Sequence, residues 1–212
     1  ANERFRILSD VIFEGVGSNS LNLAAVSTSG GISVKNPVSE VRFIRFNIIG
    51  PYFSNFTTES FAPNVFTLMD SNILLLGDLT LNSNLIALSG AVTLSKSKAT
   101  LTIPNRLRIG FGTTLYIQSQ VTLNVGMISS SEESAQIILE NAQLHYTPTG
   151  TYSLFFNRAF TGGNHQGTLA VRGRSQIVTP SGVELFFTKL SVIDFASGSL
   201  LKINDGTKFT IG

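Results

Sequence analysis

The chain has 212 residues, 42% of them hydrophobic and only 13% charged, with a formal net charge of +2 and a mean hydropathy of +0.25. That balance can fill a sizeable core and argues against disorder. Because there is no cysteine, disulfide staples, thiolate metal sites and a cysteine nucleophile are excluded.

No apolar run approaches the ~18 residues needed to cross a bilayer, so a soluble chain without membrane insertion is expected. The first residue is Ala1 and not Met, which fits removal of a signal peptide after a small residue, or a trimmed chain. Arginines form scattered pairs, at Arg4 and Arg6, Arg42 and Arg45, Arg106 and Arg108, and Arg172 and Arg174. A nucleic-acid binder would gather them into a stripe interleaved with aromatics, so no nucleic-acid partner is expected.

In chain order, "RFRILSDVIFEG" reads as two strands around Ser9-Asp10. "EVRFIRFNIIG" reads as one strand with Val41, Phe43 and Phe46 on a shared face. Residues 51–66, aromatic and rich in turn residues, suit a loop or flap. "NILLLG" at 72–77 has the length of a buried strand.

From there the chain becomes rhythmic. Leu79-Thr80-Leu81, Leu101-Thr102-Ile103 and Val121-Thr122-Leu123 form one series, continued more loosely by Leu144-His145-Tyr146, Leu169-Ala170-Val171 and Val192-Ile193-Asp194. A second register holds Val92-Thr93-Leu94, Leu115-Tyr116-Ile117 and Ile137-Ile138-Leu139. Apolar-polar-apolar triplets are period-two strands with one wet face. Their recurrence at roughly 20–25 residues is a solenoid spacing. Turn residues fall between them, at Gly77-Asp78, Asn82-Ser83-Asn84, Ser89-Gly90, Pro104-Asn105, Gly110-Phe111-Gly112, Gly150, Pro180-Ser181-Gly182 and Asp205-Gly206. "SSSEES" at 129–134 suits an insertion with one helical turn capped by a serine.

The expected fold is an all-β, single-domain parallel β-solenoid, right-handed and β-helix-like. It spans 1–212, less regular over 1–69 and regular over 70–212. The rival is a β-sandwich or jelly roll, which has no reason to keep such a beat.

Candidate chemistry is sparse. Glycoside hydrolysis needs two carboxylates facing across one bond, but Asp78, Asp194 and Asp205 sit where turn and cap roles account for them. His145 lies between Leu144 and Tyr146 on an outer strand face. His165, with Asn164 and Gln166, lies in the glycine-rich "TGGNHQG". Neither has partners spaced for a metal site or a nucleophilic triad. Gly15-Val16-Gly17 and Gly110-Phe111-Gly112 precede no helix and are not phosphate loops. Asn55-Phe56-Thr57 matches a glycosylation sequon. Tyr52 and Tyr116 are candidate sugar-stacking residues, though tryptophan is absent. In the doublets Phe155-Phe156 and Phe186-Phe187, one ring of each is expected to point inward.

The triplets at 79, 101 and 121, with their Gly and Asn corners, resemble parallel β-helix repeats. Such repeats occur in secreted bacterial surface proteins, adhesin passengers, phage tailspikes and polysaccharide lyases. The resemblance covers roughly residues 70–212, is architectural, and carries no site. Enzymes built this way cluster Asp, Lys, Arg or His on one face, and no such cluster is found. A non-enzymatic protein without catalytic, cofactor or metal site is therefore expected.

Solenoids need polar caps, because an open end exposes core and strand edges. Here "SLLKINDGTKFTIG" keeps a strand pattern to the last residue, and the start is equally strand-like. Phe5, Ile7, Val11 and Phe13 at one end, and Leu201, Ile203, Phe209 and Ile211 at the other, are the candidate assembly interface. The expectation is a secreted, extracellular or cell-surface structural protein whose partner is itself, head to tail. The alternative is a glycan-binding adhesin or tailspike-like module that recognises surface polysaccharide.

Overall fold

A computed structural model of the chain describes residues 4–7, 10–15, 20–22, 31–34, 40–49, 65–75, 77–81, 83–95, 98–130, 134–147, 152–153, 167–187 and 191–211. Among these residues the regular elements are all strands, and the paired strands run parallel. Coil after coil of the chain stacks into a parallel β-solenoid with three faces.

Face one carries Leu79–Thr80, the first half of Thr100–Ile109, the first half of Thr122–Ser130, Gln143–Tyr146, Arg174–Val178 and Leu200–Ile203, and Arg4–Ile7 and Gly31–Val34, a separate two-stranded parallel sheet, hold the matching place in the coil order. Face two carries Val11–Glu14, Glu40–Ile44, Val65–Met69, Leu85–Ser89 and the second halves of the same two long strands, and Tyr152–Ser153, Glu184–Phe187 and Lys208–Ile211, a separate three-stranded parallel sheet, hold the matching place in the later coils. Face three is a continuous eight-stranded sheet running from Ser20–Asn22 to Val192–Phe195. Where strands of all three faces are described, a coil visits the faces in the order one, two, three.

Alternation decides which side chains go inside. In Thr114–Gln118, Leu115 and Ile117 are buried while Thr114, Tyr116 and Gln118 stay half-exposed. Parallel pairing then stacks like upon like. Face three builds the ladder Val92, Leu115, Ile137 and Leu169, and beside it Ile48, Ile73, Leu94, Ile117, Leu139 and Val171. Face two stacks Val41, Phe66, Ile86, Leu107 and Ile128. Near the start this core is aromatic: Phe13 stacks on Phe43 with ring centroids 4.9 Å apart, and Phe46 meets Phe43 edge-on at 5.7 Å.

The second register expected from sequence is found residue for residue, Val92 over Leu115 over Ile137. The first is found with a correction. Leu101-Thr102-Ile103 pairs with Leu123-Asn124-Val125, two residues beyond the expected partner. A slip of two keeps every side chain on its own side, so alternation cannot tell the registers apart. Leu169-Ala170-Val171 and Val192-Ile193-Asp194 belong to face three: the first stacks on Ile137-Ile138-Leu139, and the second stacks on Thr168-Leu169-Ala170, one residue off the expected triplet, so that Ile193 and not Val192 takes the inward position. Face one continues instead through Ile177 and Ile203.

The segment read as one strand over "EVRFIRFNIIG" is two, Glu40–Ile44 and Asn47–Ile49, with a corner at Arg45 (φ 56°). Val65 and Phe66, assigned to the flap, lie in a strand, and Phe66 is core; residues 51–64 lie outside the described residues. Ser129 and Ser130 finish a strand rather than begin a helical turn, and Ser134 occupies a turn; residues 131–133 lie outside the described residues.

Pro104-Asn105 is not a turn but a bulge, where two residues oppose the single Gly126 and the sheet bends from face one to face two. A Cβ on Gly126 would sit 2.2 Å from the Pro104 carbonyl oxygen. Only glycine permits that approach.

Four other corners share a side-chain device. The carboxylate or amide oxygen of an Asp or Asn accepts a hydrogen bond from the first backbone N–H of a strand one coil on. Asp10 does this to Glu40 (3.1 Å), Asp70 to Ala91 (2.9 Å), Asp78 to Thr100 (2.8 Å) and Asn141 to Arg174 (3.0 Å). These bonds occupy backbone donors at the corners, where the chain turns between sheets. Gly90 (φ 65°) and Gly173 (φ 60°) make room, since a Cβ there would meet the Asp70 and Asn141 side chains at 1.9 and 2.3 Å.

Candidate functional site

The charged side chains first considered for chemistry are dispersed. Asp10, Asp70 and Asp78 hold the corners described above. Asp194 lies within the Val192–Phe195 strand, not at its exit, and pairs with Arg172 at 2.7 Å. Asp205 is in an exposed turn. Glu40 pairs with Arg42, Glu14 with Arg45, and Glu184 with Lys208. Among the described residues no three His, Asp or Glu come together as metal ligands.

His145 is half-exposed on face one, its Nε2 3.1 Å from Gln143 Oε1. Burial lowers its pKa, because the charged form loses hydration. A proton is then bound more readily in the unfolded chain than in the folded one. Stability from this residue is complete above the ordinary histidine value near pH 6.5 and declines as the pH falls through it. Urea midpoints at pH 7.5 and 5.5 should therefore differ more in the native chain than in His145→Gln. Equal differences would remove His145 from the acid response.

Tyr116 is half-exposed on the outside of face three, flanked across the sheet by Thr93 and Ile138. No second ring extends it into a sugar-stacking platform among these neighbours. Tyr52, Asn55, Phe155, Phe156, Asn164, His165 and Gln166 lie outside the described residues.

The least satisfied surface is the last coil. Its inward positions stack on a buried coil: Ile193 on Leu169, Phe195 on Val171, Leu201 on Ser175, Ile203 on Ile177, and Phe209 on Leu185. Leu169, Val171, Ile177 and Leu185 are 0% exposed, yet Phe195 is 50% and Phe209 37% exposed. Ile193, Leu201 and Ile203 are only half-buried. The chemistry of the two coils is similar; what differs is that the buried one has a described neighbour on both sides. Val192 and Leu200, on the outward register, add 52% and 57% exposure beside this stripe.

At the opposite end, Val11 and Phe13 pack half-buried against Val41 and Phe43. Arg4–Ile7, with Phe5 and Ile7, forms a strand paired on one side to Gly31–Val34. Arg4–Ile7, Val11–Glu14 and Ser20–Asn22 are edge strands of their sheets, and so are Val192–Phe195, Leu200–Ile203 and Lys208–Ile211, the last of which holds Ile211. Each end therefore offers three parallel strand edges, one per face, among the described residues. Sequence pattern identified five of the six strands that form these edges and missed Ser20–Asn22. Their half-covered state is a property of the stack and had no local signal.

No family model, no curated protein and no solved structure matches this chain.

Proposed function

We propose that this protein is a non-enzymatic, extracellular structural subunit that assembles head to tail through the open faces of its end coils. The observation supporting the reading is the exposed inward stripe of Ile193, Phe195, Leu201, Ile203 and Phe209. A second copy supplies an occupant of the right grammar. Its first coil carries edge strands on the same three faces, with Val11 and Phe13 in the inward register. Joining the ends continues each ladder at about 4.8 Å per coil, the ordinary spacing of hydrogen-bonded strands. Such a contact is heterologous and does not close, so it propagates into a filament. A charge content of 13% leaves little repulsion against stacking. The resemblance to repeats of secreted surface proteins favours the extracellular setting.

Electron microscopy and sedimentation across a concentration series provide the test. The native chain is expected to form unbranched filaments of uniform width. Leu201→Asp and Phe209→Asp should remain monomeric while retaining a native-like strand signal in circular dichroism. A native chain that stays monomeric at high concentration, or charged variants that assemble as it does, would overturn the reading.

A further inference from the structure

We infer that a groove along face one binds an acidic oligosaccharide, lying parallel to the solenoid axis. The groove has a volume of about 730 Å³, and its lining includes Lys98, Gln120, Gln143, Arg174, Gln176 and Lys202. Among the described residues no carboxylate lines it. Lys98, Arg174 and Lys202 are exposed, and none has an ion-pair partner among the described residues. A surface that sets three unpaired cations beside uncharged amides and hydroxyls, with no acid among them, is complementary to an anion that also carries many hydroxyl groups.

The register fixes the dimensions. Thr100, Thr122, Gln143, Gln176 and Lys202 stand in one outward column, each on the strand following the last. Four coil steps from Thr100 to Lys202 span ~19 Å. Lys98 lies beside the first step, and Arg174 and Lys202 occupy the last two. A chain of linked pyranose rings advances by roughly one coil step per ring, so about five rings fill the column. Cations at the two ends of that span hold carboxylate or sulfate groups. Gln120 and Gln176 between them supply amide donors and acceptors for ring hydroxyls.

Single-stranded nucleic acid fits less well, because its bases need stacking faces and no aromatic side chain lines the groove among the described residues. An extended peptide finds a free strand edge only at Leu200–Ile203, since the other strands under the groove are paired on both sides. The groove lies on a lateral face, and of its lining only Leu200 and Lys202 belong to an end strand, so binding measured on dilute monomer tests it apart from end-to-end assembly.

Calorimetric titration tests the assignment with four probes: a five-ring oligogalacturonate, a heparin-derived pentasaccharide, neutral cellopentaose and a single-stranded oligonucleotide. At least one acidic sugar should bind, with affinity falling as salt is added, and the tighter of the two identifies the anion. Cellopentaose should bind at least about tenfold more weakly, as should the acidic sugar to the Arg174→Gln/Lys202→Gln double variant. Lys202→Gln alone should show an intermediate loss. Arg106→Gln, an exposed cation on face two, should leave binding unchanged. Melting curves confirm that each variant is folded. Absence of binding by both acidic sugars would overturn the inference. So would a folded double variant that binds as the native chain does, or an oligonucleotide bound as tightly as the sugars.

Discussion

Gly126→Ala is expected to lower the unfolding free energy by about 3 kcal/mol, a large effect for a single methyl group. The added carbon would stand 2.2 Å from the Pro104 carbonyl oxygen, 3.0 Å from its carbon and 3.2 Å from the Asn105 oxygen. These are backbone atoms of the neighbouring coil, held by ladder bonds on either side of the bulge at Ile103 and Arg106. They cannot rotate away as a flexible side chain would. Relief requires the two coils to part where the sheet bends, which also disturbs Ile103 and Val125 in the core. Gly112→Ala is the informative comparison. Gly112 has φ 61°, but a Cβ there meets nothing within 4 Å. It should cost only the left-handed backbone penalty, about 1 kcal/mol. Urea denaturation of both variants checks the pair; equal losses would mean that the close approach at the bulge is not the limiting contact.

Ile177→Ala should cost about 3 kcal/mol, and Ile203→Ala about 1 kcal/mol in dilute solution, although the two residues are adjacent rungs of one ladder. Ile177 is 0% exposed, with Leu144 stacked on one side and Ile203 on the other. Truncating it leaves a cavity between fixed neighbours. Ile203 is only half-buried in the last coil, so water already reaches the space a shorter side chain would vacate. On the proposed head-to-tail assembly the second value depends on concentration, because anything that covers the end coil stabilises the folded form by mass action. The loss from Ile203→Ala should therefore grow towards that of Ile177→Ala as the native chain assembles. Equal losses in dilute monomer would show that the end coil is already covered.

Sequence by itself determined the class of structure and the inside-outside assignment. Alternation in Val92-Thr93-Leu94, Leu115-Tyr116-Ile117 and Ile137-Ile138-Leu139 is a local property, and the recurrence of such triplets demands a stack because one coil cannot bury its own apolar face. Glycines at 90, 112, 182 and 206 marked turns where the backbone does take positive φ. Tertiary structure decided the rest. Register on face one moved by two residues, which period-two alternation cannot detect. Arg45, Asp70, Lys98, Gln120 and Asn141 also adopt positive φ. No intrinsic preference of Arg, Lys or Gln calls for that; stacking on the coil before and the coil after imposes it. The corner bonds of Asp70 and Asn141 reach strands 21 and 33 residues away, and the groove joins Lys98 to Lys202. Contacts at such separations depend on how many residues each coil contains, and the intervals vary along the chain. Only the stacked coils set those intervals, because pairing strand edge against strand edge is what places residues distant in sequence side by side.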